Sequence, residues 1–132
     1  MMALTVRAKG ADRVCLVSDS MRGAGMPDGD YTFGPRDGKM CFVRDGISVM
    51  PEETGFASSV IRLNDAVRVM VEQVGLGLET ALRMASEVPA RIIGHDDRKG
   101  ALAAGMDADL VILDDGLNAV RTIVSGRTVH TA

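Results

Sequence analysis

The 132-residue sequence has only two cysteines and two histidines. Cys15 and Cys41 both sit inside apolar runs, and a disulfide framework would need more cysteines in loops. They read as reduced, buried thiols of a cytoplasmic protein. His95 and His130 lack the i, i+2 or i, i+4 histidine spacing of a metal site, and neither cysteine has a second one beside it. Both histidines read as surface residues, His95 in the charged loop "GHDDRKG" and His130 close to the C-terminus. No P-loop, no G-x-G-x-x-G and no Ser-His-Asp order is present. Lys and Arg are scattered and the net charge is −3, which argues against a nucleic-acid partner. No apolar stretch approaches the roughly 20 residues that span a bilayer, so no membrane is expected. The N-terminus "MMALTVRAKG" lacks the apolar centre of a signal peptide.

What is present suits a globular chain. With 46% hydrophobic and 25% charged residues, it has room for one domain with a sizeable core, or a small core plus an appendage. The first part, residues 1–29, reads as a helix stopped by Gly10, then "VCLV" at 14–17, a continuous apolar run of the kind buried on both faces of a sheet. Residues 30–50 read as a β-meander, because "DYTF", "KMCFV" and "ISVM" are separated by two connections ending in Asp-Gly. Asp28 and Asp30 read as turn-shaping residues.

Residues 51–98 read as helical. Val60, Leu63, Val67, Met70, Val71 and Val74 form an i, i+3, i+4, i+7 stripe, with Ser58 or Ser59 as cap and Gly75 as stop. A second helix carries Leu78, Leu82 and Ala85 on one side, and a short third one holds Pro89 in its first turn and ends at Gly94. Residues 99–132 read as β again, with "LVIL" at 110–113 buried and a hairpin closing on Ser125-Gly126. The nine methionines read as core gap-fillers.

In "CLVSDSMRGAGMPDGDY", Asp19 stands where the apolar run ends and a Gly- and Met-rich loop begins. By residue type alone it is either a catalytic carboxylate or the polar stop of a buried strand.

"KGALAAGMDADLVILD", residues 99–114, resembles the C-terminal signature of the amidohydrolase superfamily. There Gly100 and Gly105 would make turns and Asp109 would cap the entry to a strand. The segments "AKGADRVCLVSDSMRGAGMPDGDYTFG" and "TGFASSVIRLNDAVRVMVEQVGLGLETALRMASEVPARIIG" are similar to the N-acetylglucosamine-6-phosphate deacetylase family, including its L-A-G-S loop and its A-x-x-P-A-x-x-L-G phrase at 85–94. The resemblance implies an α/β fold: the C-terminal fragment of a (β/α)8 TIM barrel, contributing the last strand and helices, plus part of a small β-sandwich. Residues 14–17 would be strand eight, and Asp19 would lie at the C-terminal end of that strand, where such barrels keep their catalytic groups.

It also implies roles. Asp19 would be general base toward a metal-bound water and then general acid toward the leaving sugar amine. Phe56, Ala57 and Ser58 match the substrate-contacting loop, with Ser58 where the family usually has Gly. The intact enzyme would use zinc or a similar divalent metal and a sugar-phosphate substrate. Its ligands, a Glu and two His, would come from earlier strands, so no metal ligand is assigned here and this chain alone is expected to be inactive. The unpartnered run at 14–17 and the family's homodimers point to a homo-oligomer. Two other readings stay open: another amidohydrolase, of dihydroorotase or deaminase type, and a non-catalytic, self-associating module.

Overall fold

The backbone closes on itself twice, Met1–Leu16 with Val67–Ala132 in one unit and Val17–Ala66 in the other. The computed structural model describes residues 1–51 and 55–132; residues 52–54, inside the expected segment 51–98, lie outside the described residues. The result is a small α/β fold with two separate three-stranded antiparallel sheets.

In the first unit, α1 (Met2–Lys9) stops at Gly10, whose φ of 82° is open to glycine without strain. α2 (Leu63–Glu72), α3 (Leu78–Ala85) and α4 (Glu87–Ile92) follow after the excursion of the second unit. Val6, Val67, Met70, Ala81 and Met84 form the core, with Val14, Leu16, Val71, Val74 and Ala85 among the side chains packed on it. Of the expected α2 stripe, Val67, Met70, Val71 and Val74 face the core, whereas Leu63 is exposed and Val60 precedes the helix. At its end the Leu76 N–H reaches back to the Met70 carbonyl at 3.0 Å around Gly75, satisfying a carbonyl the helix leaves free.

The face of α3 needs correction. Ala81 and Met84 are buried, whereas Leu78 and Leu82 are exposed. The two stripes lie about 100° apart on the helix, and the core takes the small residue with the flexible one rather than the two leucines. The methionines are corrected as well: Met70 and Met84 are fully buried, but Met1, Met2, Met26 and Met40 are exposed.

This unit also carries β4 (Leu110–Leu113), β5 (Ala119–Val124) and β6 (Arg127–Thr131) in sequence order. Ser125 and Gly126, with φ of 49° and 74°, make the expected two-residue hairpin turn. β4 is not buried as expected: Val111 and Ile112 are exposed. It pairs on one side with β5 and is the edge of its sheet, with Leu110 and Leu113 half-buried.

The run at 14–17 is expected as a barrel strand without sheet neighbours in this chain. Val14 is extended, and the run belongs to no strand, because the described residues place no ladder beside it. Leu16 N–H bonds the Met84 carbonyl at 2.8 Å, Cys15 is half-buried rather than buried, and Val17 is 67% exposed. Both histidines are exposed, as expected.

The second unit is built on the meander β1 (Gly29–Phe33), β2 (Lys39–Arg44) and β3 (Ile47–Val49), paired in that order. Asp45 and Gly46, with φ of 50° and 73°, form the β2–β3 turn that the Asp-Gly pair predicts. Cys41, Val43 and Ala57 are its buried apolar residues. The unit ends in the first turn of α2. Neither Ser58 nor Ser59 caps that helix; instead the Asp65 carboxylate accepts the Arg62 N–H at 2.9 Å, half of a capping box.

Candidate active site

Asp19 lies in the second unit, in the left-handed region at φ 49°. Non-glycine residues pay about 1–2 kcal/mol for that conformation, aspartate being among the more tolerant. Its neighbours hold it there through the segment 58–61. The Ser58 hydroxyl donates to the Asp19 carbonyl at 2.6 Å, and the Ser59 N–H donates to the same oxygen at 3.0 Å. The Ser59 hydroxyl donates to the Ser18 carbonyl, the Ser20 hydroxyl to the Ile61 carbonyl, and the Met21 N–H to the Ser59 carbonyl at 2.8 Å. Ser20 and Ser59 pair as an isolated parallel bridge.

The other expected site residues sit on the same segment. Ser58 also has a positive φ, 63°, which gives a physical reason for a glycine at that position in the family pattern. Ala57 is fully buried and its N–H bonds the Ser48 carbonyl at 2.9 Å. Phe56 pairs across to Val49 and leaves its ring 79% exposed. The structure thus brings the Ser58 hydroxyl onto the Asp19 carbonyl, with Ala57 buried and Phe56 exposed beside them in the chain.

Sequence reading missed the flanking serines. Ser18, Ser20 and Ser59 supply two hydroxyl donors and two accepting carbonyls to the ladder. Two serines flanking a single aspartate are the only trace of this in the sequence, and their partners are some 40 positions away.

Among the described residues, no cluster of three or more His, Cys, Asp or Glu side chains is placed to hold a metal ion. The groups bonded around Asp19 are hydroxyls and peptide groups, which do not make a divalent-cation site on their own. Among the described residues, no helix is long and apolar enough to cross a membrane.

The amidohydrolase family model matches residues 10–129, so the chain belongs to the amidohydrolase family, which generally uses a divalent metal. Its relatives are amino-sugar-phosphate deacetylases. A putative N-acetylgalactosamine-6-phosphate deacetylase of Escherichia coli K12 is 38% identical over 116 residues, 88% of this chain and 67% of that one. The N-acetylglucosamine-6-phosphate deacetylase of Bacillus subtilis is 35% identical over 123 residues, 93% of this chain and 30% of that one. A solved aspartate-to-alanine variant of the Mycobacterium smegmatis N-acetyl-D-glucosamine-6-phosphate deacetylase, in complex with N-acetyl-D-glucosamine-6-phosphate, superimposes with a TM-score of 0.88 at 31% identity, covering 98% of this chain and 34% of that one. The chain therefore spans about a third of full-size relatives and two thirds of a short one.

Proposed function

We propose that this chain is the C-terminal part of a metal-dependent N-acetylglucosamine-6-phosphate deacetylase, an enzyme that hydrolyses the acetamide to glucosamine 6-phosphate and acetate. Residues 14–17 are then the last strand of a (β/α)8 barrel, residues 51–98 the helices around it, and 30–50 with 99–132 the sheet-forming parts beside it. The unpaired state of 14–17 supports this, since a barrel strand finds its ladder only with its neighbours.

Asp19 is the proton-transferring carboxylate. It takes a proton from the attacking water and returns it to the leaving amine, general acid–base work that contributes roughly 10²–10⁴-fold. Phe56 offers an apolar cover for the acetyl methyl, and Ala57 fixes the height of that loop. The single observation that carries this reading is the meeting of Asp19 with Ser58 and Ser59, next to Phe56 and Ala57, in one hydrogen-bonded ladder. The described residues do not supply a metal site, so no step is assigned to one. The metal and the substrate phosphate are left to the remainder of the enzyme.

Two assays test this. The 132-residue chain, given zinc and N-acetylglucosamine 6-phosphate, is expected to release no acetate. Release that is lost in Asp19→Asn would overturn the partial-enzyme reading. In the polypeptide that joins this chain to the preceding barrel, Asp19→Asn is expected to lower kcat by about 10²-fold or more with little change in KM. Unchanged turnover there would sink the catalytic assignment. The E. coli relative's name makes the galactosamine epimer the natural second substrate to compare.

A further inference from the structure

We propose that Ser58 is a positioning residue for Asp19: its hydroxyl holds the Asp19 peptide in the left-handed conformation that sets the direction of the carboxylate. This rests on the reading of Asp19 as the proton-transferring group. Strained backbone survives where its surroundings over-determine it, and such positions gather at functional sites. Asp19 is over-determined in this way. Its carbonyl receives two donors, the Ser58 hydroxyl at 2.6 Å and the Ser59 N–H at 3.0 Å, which fill both lone pairs. On either side, Ser18 and Ser20–Met21 are tied to residues 59–61. The peptide planes flanking Asp19 are thus fixed from one direction by one neighbouring segment.

Of these bonds, the one from Ser58 is unusual in its origin. The others come from Ser59, Ser20 and Met21 and would persist with any residue at 58. The Ser58 bond requires a hydroxyl on a residue that itself stands at φ 63°. Glycine would relax that φ and lose the donor; serine keeps the donor at the expense of the relaxed backbone. The hydroxyl, once given to the Asp19 carbonyl, is spent on the peptide rather than offered to a substrate. Its effect on chemistry is therefore indirect, through where the Asp19 side chain leaves the backbone.

The pair Ser58→Gly and Ser58→Ala separates this role from a merely conformational one, using NMR of the 132-residue chain. Both variants remove the donor, while only glycine relieves the strain. If the hydroxyl positions Asp19, both variants shift the Asp19 carbonyl ¹³C upfield and average its Hα–Hβ couplings over several rotamers. Both also speed exchange of the Ser59 amide by about fivefold, equivalent to the loss of one hydrogen bond of about 1 kcal/mol. Wild-type Asp19 signals in Ser58→Gly would overturn the proposal. So would equal acceleration at the Ser125 amide in the β5–β6 turn, which would mark general loosening. Should alanine fail to fold, glycine alone decides. The Asp19→Asn turnover assay is separate: unaffected turnover with the Ser58 effects intact would remove the catalytic reading and leave the geometry standing.

Discussion

Ser48 is 2% exposed, and its hydroxyl has no hydrogen-bond partner among the described residues. An unsatisfied buried hydroxyl costs about 1–3 kcal/mol. Ser48→Ala is therefore expected to raise stability by up to about 1 kcal/mol, seen as a higher urea midpoint; a drop of that size would show that the hydroxyl is satisfied. Gly100 works the other way. At φ 93°, a Cβ there would lie 2.9 Å from the Ala90 Cβ and from the Glu87 Cα, and 3.0 Å from the Ser86 carbonyl. Gly100→Ala should cost more than about 1 kcal/mol through strain and contact with α4 together, measured by the same urea titration. A neutral result would mean the loop shifts freely. Gly100 was legible as a turn residue from its motif, because a glycine in a turn leaves a local mark. The crowding by α4 was not, since it depends on residues ten or more positions earlier. Ser58 was legible only as a departure from a pattern, and the bond that explains it joins positions 39 apart.

The helices were readable because periodicity is local, and α2 buries Val67 and Met70 as the stripe requires. Met84, fully buried on α3, should cost about 2–5 kcal/mol on truncation to Ala. The exposed Leu82 should cost under about 1 kcal/mol, and a reversal of that order in thermal melts would overturn the corrected face. The turn before β4 shows what charge spacing could not reveal. Lys99 and Arg98 pair with Asp107, and Lys99 also pairs with Asp109, whose other oxygen accepts the Ser125 N–H at 2.8 Å. Asp109 thus fastens the far hairpin turn rather than capping β4 as expected. The Lys99 ammonium, then the Arg98 guanidinium, hold Asp107 below its ordinary value. Lys99 and the Ser125 N–H do the same for Asp109, and the Asn118 N–H for Asp114. A carboxylate whose folded pKa is depressed stabilises above its unfolded value, about 3.9, and loses that contribution as pH falls through the folded one. Urea midpoints should therefore be flat above about pH 5 and fall below about pH 4. Asp109→Asn should start lower and fall less steeply; a parallel fall would exclude Asp109 from the acid response.

For the chain as a whole, the run at 14–17 shows what an apolar pattern leaves undecided. Its apolar signature reads as a strand covered on both faces; Val14 and Leu16 pack on the core of the first unit, Val17 is exposed, and no strand pairs with the run among the described residues. An unpaired, partly exposed apolar segment favours pairing with another chain. Sedimentation of the 132-residue protein is expected to show concentration-dependent association, reduced in Val17→Lys. A monomer at every concentration would sink that expectation. The two compact units were not legible either, because the residues joining Met1–Leu16 to Val67–Ala132 are separated by 50 others.

The two hairpin turns share a device whose consequence lies in the order of synthesis. At Ser125 the turn amide is received by Asp109, and at Asp45 the turn amide is received at 2.7 Å by Asp28. In each case the acceptor precedes the turn by one strand or more, so it has already left the ribosome when the turn emerges. A nascent chain can therefore close each turn against an acceptor that is already waiting. The smallest piece that can complete the β2–β3 turn begins no later than Asp28, and for β5–β6 no later than Asp109.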